Sequence, residues 1–152
     1  MLAVLVSAFH VLGLGIGLGA VVARGRAFHA IAAGDAGAAR SALLADNYWA
    51  AAAFLWIATG LARLFGGIEK GFDFYLYNGF FWLKIGLFAL ILALELTPMT
   101  TLIGWRIALA KGNPIDTRRV ALLARINGAE IALVVVIPFV AAAMARGLWL
   151  LA

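Results

Sequence analysis

The chain has 152 residues, of which 66% are apolar and 12% charged, with a net charge of +5 and no cysteine. Soluble domains carry about 25% charged residues, so an ordinary soluble domain is excluded, as are disulfide, thiolate-metal and cysteine-nucleophile chemistry. The basic residues sit at the ends of apolar runs, where membrane topology places them, so the positive charge does not read as a nucleic-acid surface.

The first apolar run, Met1 to Ala23, starts without positive charge and ends in Arg24-Gly25-Arg26. A cleaved signal peptide has the opposite charge order and a shorter apolar core, so the run reads as a retained spanning helix over 1–23. His10 lies near its middle, and Ser7, Gly13 and Gly17 share its face. Small residues at this spacing admit either a second helix or a flat ligand against the backbone, and helix packing is the commoner use. Arg24 to Asp46 then reads as a connector holding Arg24, Arg26, His29, Asp35 and Arg40, with Asp35 placed to cap a short helix.

A second span is expected over 47–65, with Trp49, Trp56 and Arg63 spaced by sevens along one face and Thr59 between them. Trp49 reads as an interfacial anchor, Arg63 as a snorkelling end residue, and Trp56 as a deeper residue facing other helices. Glycines break the helix in the next connector, Gly66 to Tyr77, whose aromatic cluster suits a membrane interface. The third span, 78–105, carries Lys84 and Glu95 inside. They lie eleven residues apart and so fall on nearly one face. Pro98 is placed to bend it, with Thr97, Thr100 and Thr101 able to satisfy the carbonyls it frees.

Gly112-Asn113-Pro114 marks a turn, and Asp116 or Thr117 is placed to cap the last span, 121–145. There Asn127, Glu130 and Pro138 share a face, with Glu130 near mid-membrane and Pro138 a site for a kink.

The expected fold is therefore all-α: a four-transmembrane-helix bundle forming a single integral membrane domain over 1–152. Eight Lys and Arg residues belong to the first and third connectors or their edges, and three belong to the other side. The positive-inside rule then puts both termini outside the cytoplasm.

On this topology His10, Lys84 and Glu130 can meet inside the bundle, while Glu95 falls near the inner interface and reads as structural. Three chemistries fit the set. A neutral histidine can ligate haem iron. A desolvated lysine can ligate or move protons. A Lys84–Glu130 pair can instead be a neutralised ion pair that only fixes helix register. Ionisable groups inside a membrane are functional candidates by default. With two histidines in the chain, a protein-only zinc site is not expected.

The combination of a Phe9-His10 pair in a glycine-rich first helix, DNYWAAAAFLWIATGLARLFGGIEKG, NGFFWLKIGLFALILALELTPMTTLIGWR and ARINGAE resembles a bacterial family of predicted membrane proteins of unknown function. The layout is also similar to the HemJ-type protoporphyrinogen oxidases, small membrane proteins that bind haem b. His10 matches their first-helix histidine and Lys84 their lysine, and Arg125 with Asn127 loosely matches the Arg/Asn motif opening their last helix. Glu95 stands about where their downstream histidine would be, and Trp82 occupies a position near the lysine that is often histidine there.

The resemblance implies a haem- or porphyrin-binding membrane redox protein of the bacterial inner membrane. His10 would be the axial ligand to haem b iron and Lys84 the second ligand or a proton donor. Gly13 and Gly17 would make room for the ring, with Glu130, Asn127, Trp56 and Arg125 as buried polar support. The alternatives are a structural or accessory membrane subunit and a small proton-coupled transporter. The transporter would work as an oligomer, because so short a chain shows no inverted repeat. The expected partners are the lipid bilayer and either further copies of the chain or a larger membrane complex, with no nucleic acid.

Overall fold

The computed structural model describes residues 1–68 and 70–151. Glu69, in the second connector and in one of the motifs quoted above, lies outside the described residues. Helix α1 spans Leu2–Ala32, α2 Ala39–Phe65, α3 Phe72–Leu76, α4 Gly79–Ala110 and α5 Val120–Ala145, with a short 3-10 turn at Ala36–Ala38 before α2. Among the described residues, α1, α4, α5 and α2 with its preceding turn are long and apolar enough to cross a membrane. The four-span bundle expected from the sequence is the observed fold.

The spans are longer than the apolar runs suggested. A bilayer core needs about 20 helical residues, and α1, α2, α4 and α5 have 31, 27, 32 and 26. The extra length of α1 matters most. The expected boundary at Ala23 is not a boundary, because Arg24 finds its partners inside the protein and the helix runs on through it. Asn78 caps α4, its side chain accepting from the Phe80 N–H at 3.0 Å. Asp35 makes no side-chain capping bond. Asp116 does not cap α5 either. It accepts from Arg118, which holds its carboxyl down at about 2.

Helix α1 packs along both α2 and α5, and α5 also packs on α4. Helices α2 and α4 scarcely touch. The order around the bundle is therefore α2–α1–α5–α4, with a seam left between α2 and α4.

The interior is built from small and medium side chains, with aromatics at both ends. Phe28, Leu102, Trp105 and Leu123 form the core near the first and third connectors. Val21, Trp49, Ile91 and Val134 fill the middle, and Tyr75, Phe81 and Met144 the opposite end. Large apolar residues such as Val4, Phe54, Leu96 and Phe139 face outward. That pattern suits a bundle whose surroundings are hydrocarbon. At the Tyr77 end the C-terminal tail folds back: Gly79 N–H donates to the Trp149 carbonyl, and Leu151 N–H to that of Tyr77.

Pro98 lies within the continuous helix α4, and Pro138 within α5. The Thr100 and Thr101 hydroxyls return to the carbonyls of Leu96 and Thr97. They do not reach the Leu94 carbonyl that Pro98 leaves without its usual N–H.

Candidate functional site

Arg24 is fully buried at the junction of all four long helices. Its guanidinium has five N–H groups, and each has an acceptor. Nε donates to Asn127 Oδ1 of α5 at 3.0 Å. Nη1 donates to Asp46 Oδ1 of α2 at 3.0 Å and to Glu95 Oε1 of α4 at 2.7 Å. Nη2 donates to Glu95 Oε2 at 2.8 Å and to Glu130 Oε2 of α5 at 2.7 Å. The Arg24–Glu95 pair is thus bidentate, the strongest geometry such a pair has.

The cluster is held from outside as well. Trp49 Nε1 donates to Glu95 Oε2 at 3.0 Å, and its ring lies 5.6 Å from the guanidinium carbon. Arg106 Nη2 donates to Asp46 Oδ2 and Asn47 Oδ1, both at 2.9 Å. Asn127 Nδ2 donates to the Val21 carbonyl at 2.9 Å, which ties α5 to the backbone of α1 one turn before Arg24. One polar atom is left over: Glu130 Oε1 is buried and has no hydrogen-bond donor among the described residues.

Gly25 makes this approach of α1 and α5 possible, since a Cβ there would stand 2.6 Å from Asn127 Nδ2. Gly25→Val is expected to push α5 away from Arg24 and to destabilise the fold by about 1–3 kcal/mol, the usual cost of overpacking a tight contact. A thermal-unfolding series in detergent checks this. Unchanged stability would mean that the two helices are not held this closely.

A family model described as "Predicted membrane protein (DUF2214)" matches residues 2–148. The chain belongs to this family. No curated protein and no solved structure matches it, so neither comparison returns the HemJ-type oxidases. The DUF2214 match takes in every helix, and with them all members of the Arg24 cluster.

In this DUF2214 chain several expected positions need correcting. Lys84 does not meet Glu130. Its ammonium lies 5.6 Å from the Phe81 ring, and Glu130 is taken by Arg24. The reason is depth: Lys84 is less than two turns from the start of α4, whereas Glu95 on the same helix reaches the level of Glu130. Glu95, expected to be a peripheral structural residue, is a core member of the cluster. Trp49 is a buried donor to Glu95 rather than an interfacial anchor. Arg125 is exposed and supports nothing buried. Asn127 and Glu130 are buried as expected, but around Arg24.

His10 stands apart from these groups, at the other end of the bundle. Its Nδ1 is 2.8 Å from Thr59 Oγ1. The Thr59 hydroxyl also lies 2.6 Å from the Leu55 carbonyl and 3.2 Å from that of Trp56. The imidazole leans on Trp56 with centroids 5.7 Å apart, and Trp56 meets Phe88 edge-on at 5.8 Å. Gly13 and Gly17 are covered by α2: Cβ atoms on them would lie 3.5 Å from Leu55 and 3.4 Å from Ala52. Both glycines pack against α2 and also border the cavity between α1, α2 and α4.

Sequence reading missed Arg24 because a charge at the end of an apolar run looks like a topology signal. One cue was present. Gly13, Gly17, Ala20 and Arg24 recur at helical spacing, and all are buried. The small-residue stripe leads directly to the arginine.

Proposed function

We propose that this chain is a proton-coupled membrane protein whose Glu95 and Glu130 share one proton on the guanidinium of Arg24. The carrying observation is that Glu95 Oε2 and Glu130 Oε2 accept from the same Arg24 nitrogen, at 2.8 and 2.7 Å, while Glu130 Oε1 is buried with no donor among the described residues. Charge counting agrees. Asp46, Glu95 and Glu130 face Arg24 and, through Asp46, Arg106, which leaves one carboxylate more than the guanidiniums neutralise. A buried excess charge is costly. A proton shared by the two carboxyls removes it. Trp49 and Asn127, the other polar groups packed here, are donor and amide and do not titrate. The protein then lies in the bacterial inner membrane with both termini outside the cytoplasm, and a complete conduction path is formed by an oligomer.

Reconstituted into liposomes with an internal pH dye, the wild-type protein is expected to pass protons under an imposed potential. Glu130→Gln is expected to cut that flux at least tenfold while the protein stays folded. Equal flux in the two proteins would overturn the proposal and leave the cluster as a device that fixes helix register.

A haem reading retains one supporting observation. His10 Nδ1 bonds the Thr59 hydroxyl, the kind of contact that orients a ligating histidine. The space is wrong, however. The Trp56 and Phe88 rings stand between His10 and α4, and the cavity beside them has a volume of about 150 Å³. Pockets for ligands of drug size run from about 300 Å³ upward. This volume counts against a haem inside the bundle. The purified protein is expected to show no Soret band. A band that shifts on reduction and is lost in His10→Ala would reinstate haem.

A further inference from the structure

We propose that the cavity between α1, α2 and α4 binds a small arylalkyl amine as its ammonium ion, in place of the proton held by Glu95 and Glu130. This inference rests on the proton-sharing reading above.

The cavity has walls of Gly17, Trp49, Trp56, Phe88 and Ile91, and Glu95 and Asp46 close one end. Its volume of about 150 Å³ is that of an apolar cavity that accepts one benzene ring. Trp56 Nε1 is buried and has no acceptor among the described residues. The apolar and aromatic walls thus suit a ring, and the carboxylates suit a cation.

The carboxylates at the end of the cavity carry the charge argument. Glu130 is sealed from the surroundings, whereas the Glu95 and Asp46 side chains are 17% and 18% exposed. The cluster has room for one positive charge beyond Arg24 and Arg106. A proton on Glu95 and Glu130 supplies it, and so does an ammonium beside Glu95. Both together leave the site positive in a low-dielectric interior, so each excludes the other. The result is an exchange of one amine for one proton.

Access is lateral. Ala50 of α2 and Leu92 and Met99 of α4 line the cavity and are also exposed on the bundle surface. They border the seam where α2 and α4 scarcely meet. An amine crosses lipid in its neutral form. At the site its nitrogen takes the carboxyl proton: the O–H bond breaks, an N–H bond forms, and an ammonium–carboxylate pair remains. Measured from an ammonium in bulk water, the same event releases one proton.

Benzylamine is the probe. Added to the detergent-purified protein at pH 7, it is expected to quench tryptophan fluorescence saturably. About one proton should appear in a weakly buffered dye solution for each amine bound. Toluene, the same ring without the charge, is expected to compete with benzylamine and release no proton. Glu95→Gln is expected to weaken benzylamine binding at least tenfold. Ala53→Leu, which fills the cavity from α2 without touching the cluster, should block both ligands and serves if the first variant does not fold. Absence of benzylamine binding, binding without proton release, or binding unaffected by either variant would overturn the inference.

The infrared spectrum of the amine-free protein separates the two levels of argument. If a protonated-carboxyl band that Glu130→Gln removes is seen but benzylamine fails, the amine inference alone is wrong. If no such band exists, the proton-sharing reading has failed beneath it.

Discussion

Replacing Arg24 with leucine is expected to leave the helices formed but the bundle badly weakened. In lipid each helix satisfies its own backbone hydrogen bonds, so secondary structure does not depend on this side chain. Association of the helices does. Arg24 holds Asp46, Glu95 and Glu130, one carboxylate from each of the other long helices, and its removal leaves Glu95 and Glu130 without the guanidinium while Asp46 keeps only Arg106. Removing one partner of a buried ion pair costs about 3–5 kcal/mol, a large share of a total stability of roughly 5–15 kcal/mol. The expected result is a helical circular-dichroism spectrum close to the wild type, a thermal midpoint lower by roughly 10 °C, and aggregation on size-exclusion chromatography. Arg24→Lys should fall between the two, because an ammonium has three donors and no planar fork for Glu95. A leucine variant as stable as the wild type would show that the cluster does not hold the helices together.

The second expected result separates what the cluster holds from what it does. The triple variant Arg24→Met, Glu95→Met, Glu130→Leu removes the guanidinium together with the two carboxylates that, among the described residues, form ion pairs only with it. Asp46 keeps Arg106 at 2.9 Å. Replacing a whole buried ion cluster by apolar residues of similar size is commonly neutral or stabilising. Trp49 Nε1 and Asn127 Oδ1 each lose a partner, at about 1 kcal/mol apiece. The triple variant is therefore expected to recover most of the stability that Arg24→Leu loses, while proton flux falls to the level of empty liposomes. Full flux with restored stability would place the conducting groups elsewhere. The contrast is informative because a purely structural cluster predicts the same recovery but no flux in the wild type to lose.

Helix count and type were legible because they follow from runs of apolar residues, which the bilayer thickness turns directly into spans. The burial of Asn127 and Glu130 was legible for a related reason: polar residues in the middle of an apolar run have nowhere cheap to go except the interior. The partner of Glu130 was not legible. Lys84 and Glu130 each looked like the natural complement of the other, but pairing needs equal depth, and depth depends on where each helix starts. Helix α1 extends nine residues past its expected end. That difference carries Arg24 from the interface into the core, while Lys84, close to the start of α4, stays on a different level beside Phe81.

The sequence by itself determined a membrane-spanning all-α bundle, because hydropathy over about 20 residues is a local property that lipid reads one helix at a time. It also located the residues whose charge or polarity is costly there. Only the tertiary structure decided that Arg24, Asp46, Glu95, Asn127 and Glu130 form one hydrogen-bonded site and that His10 and Lys84 lie outside it. A buried ion pair is satisfied by whichever opposite charge arrives at hydrogen-bonding distance, and that distance is set by the register of four helices packed together, which no single span contains.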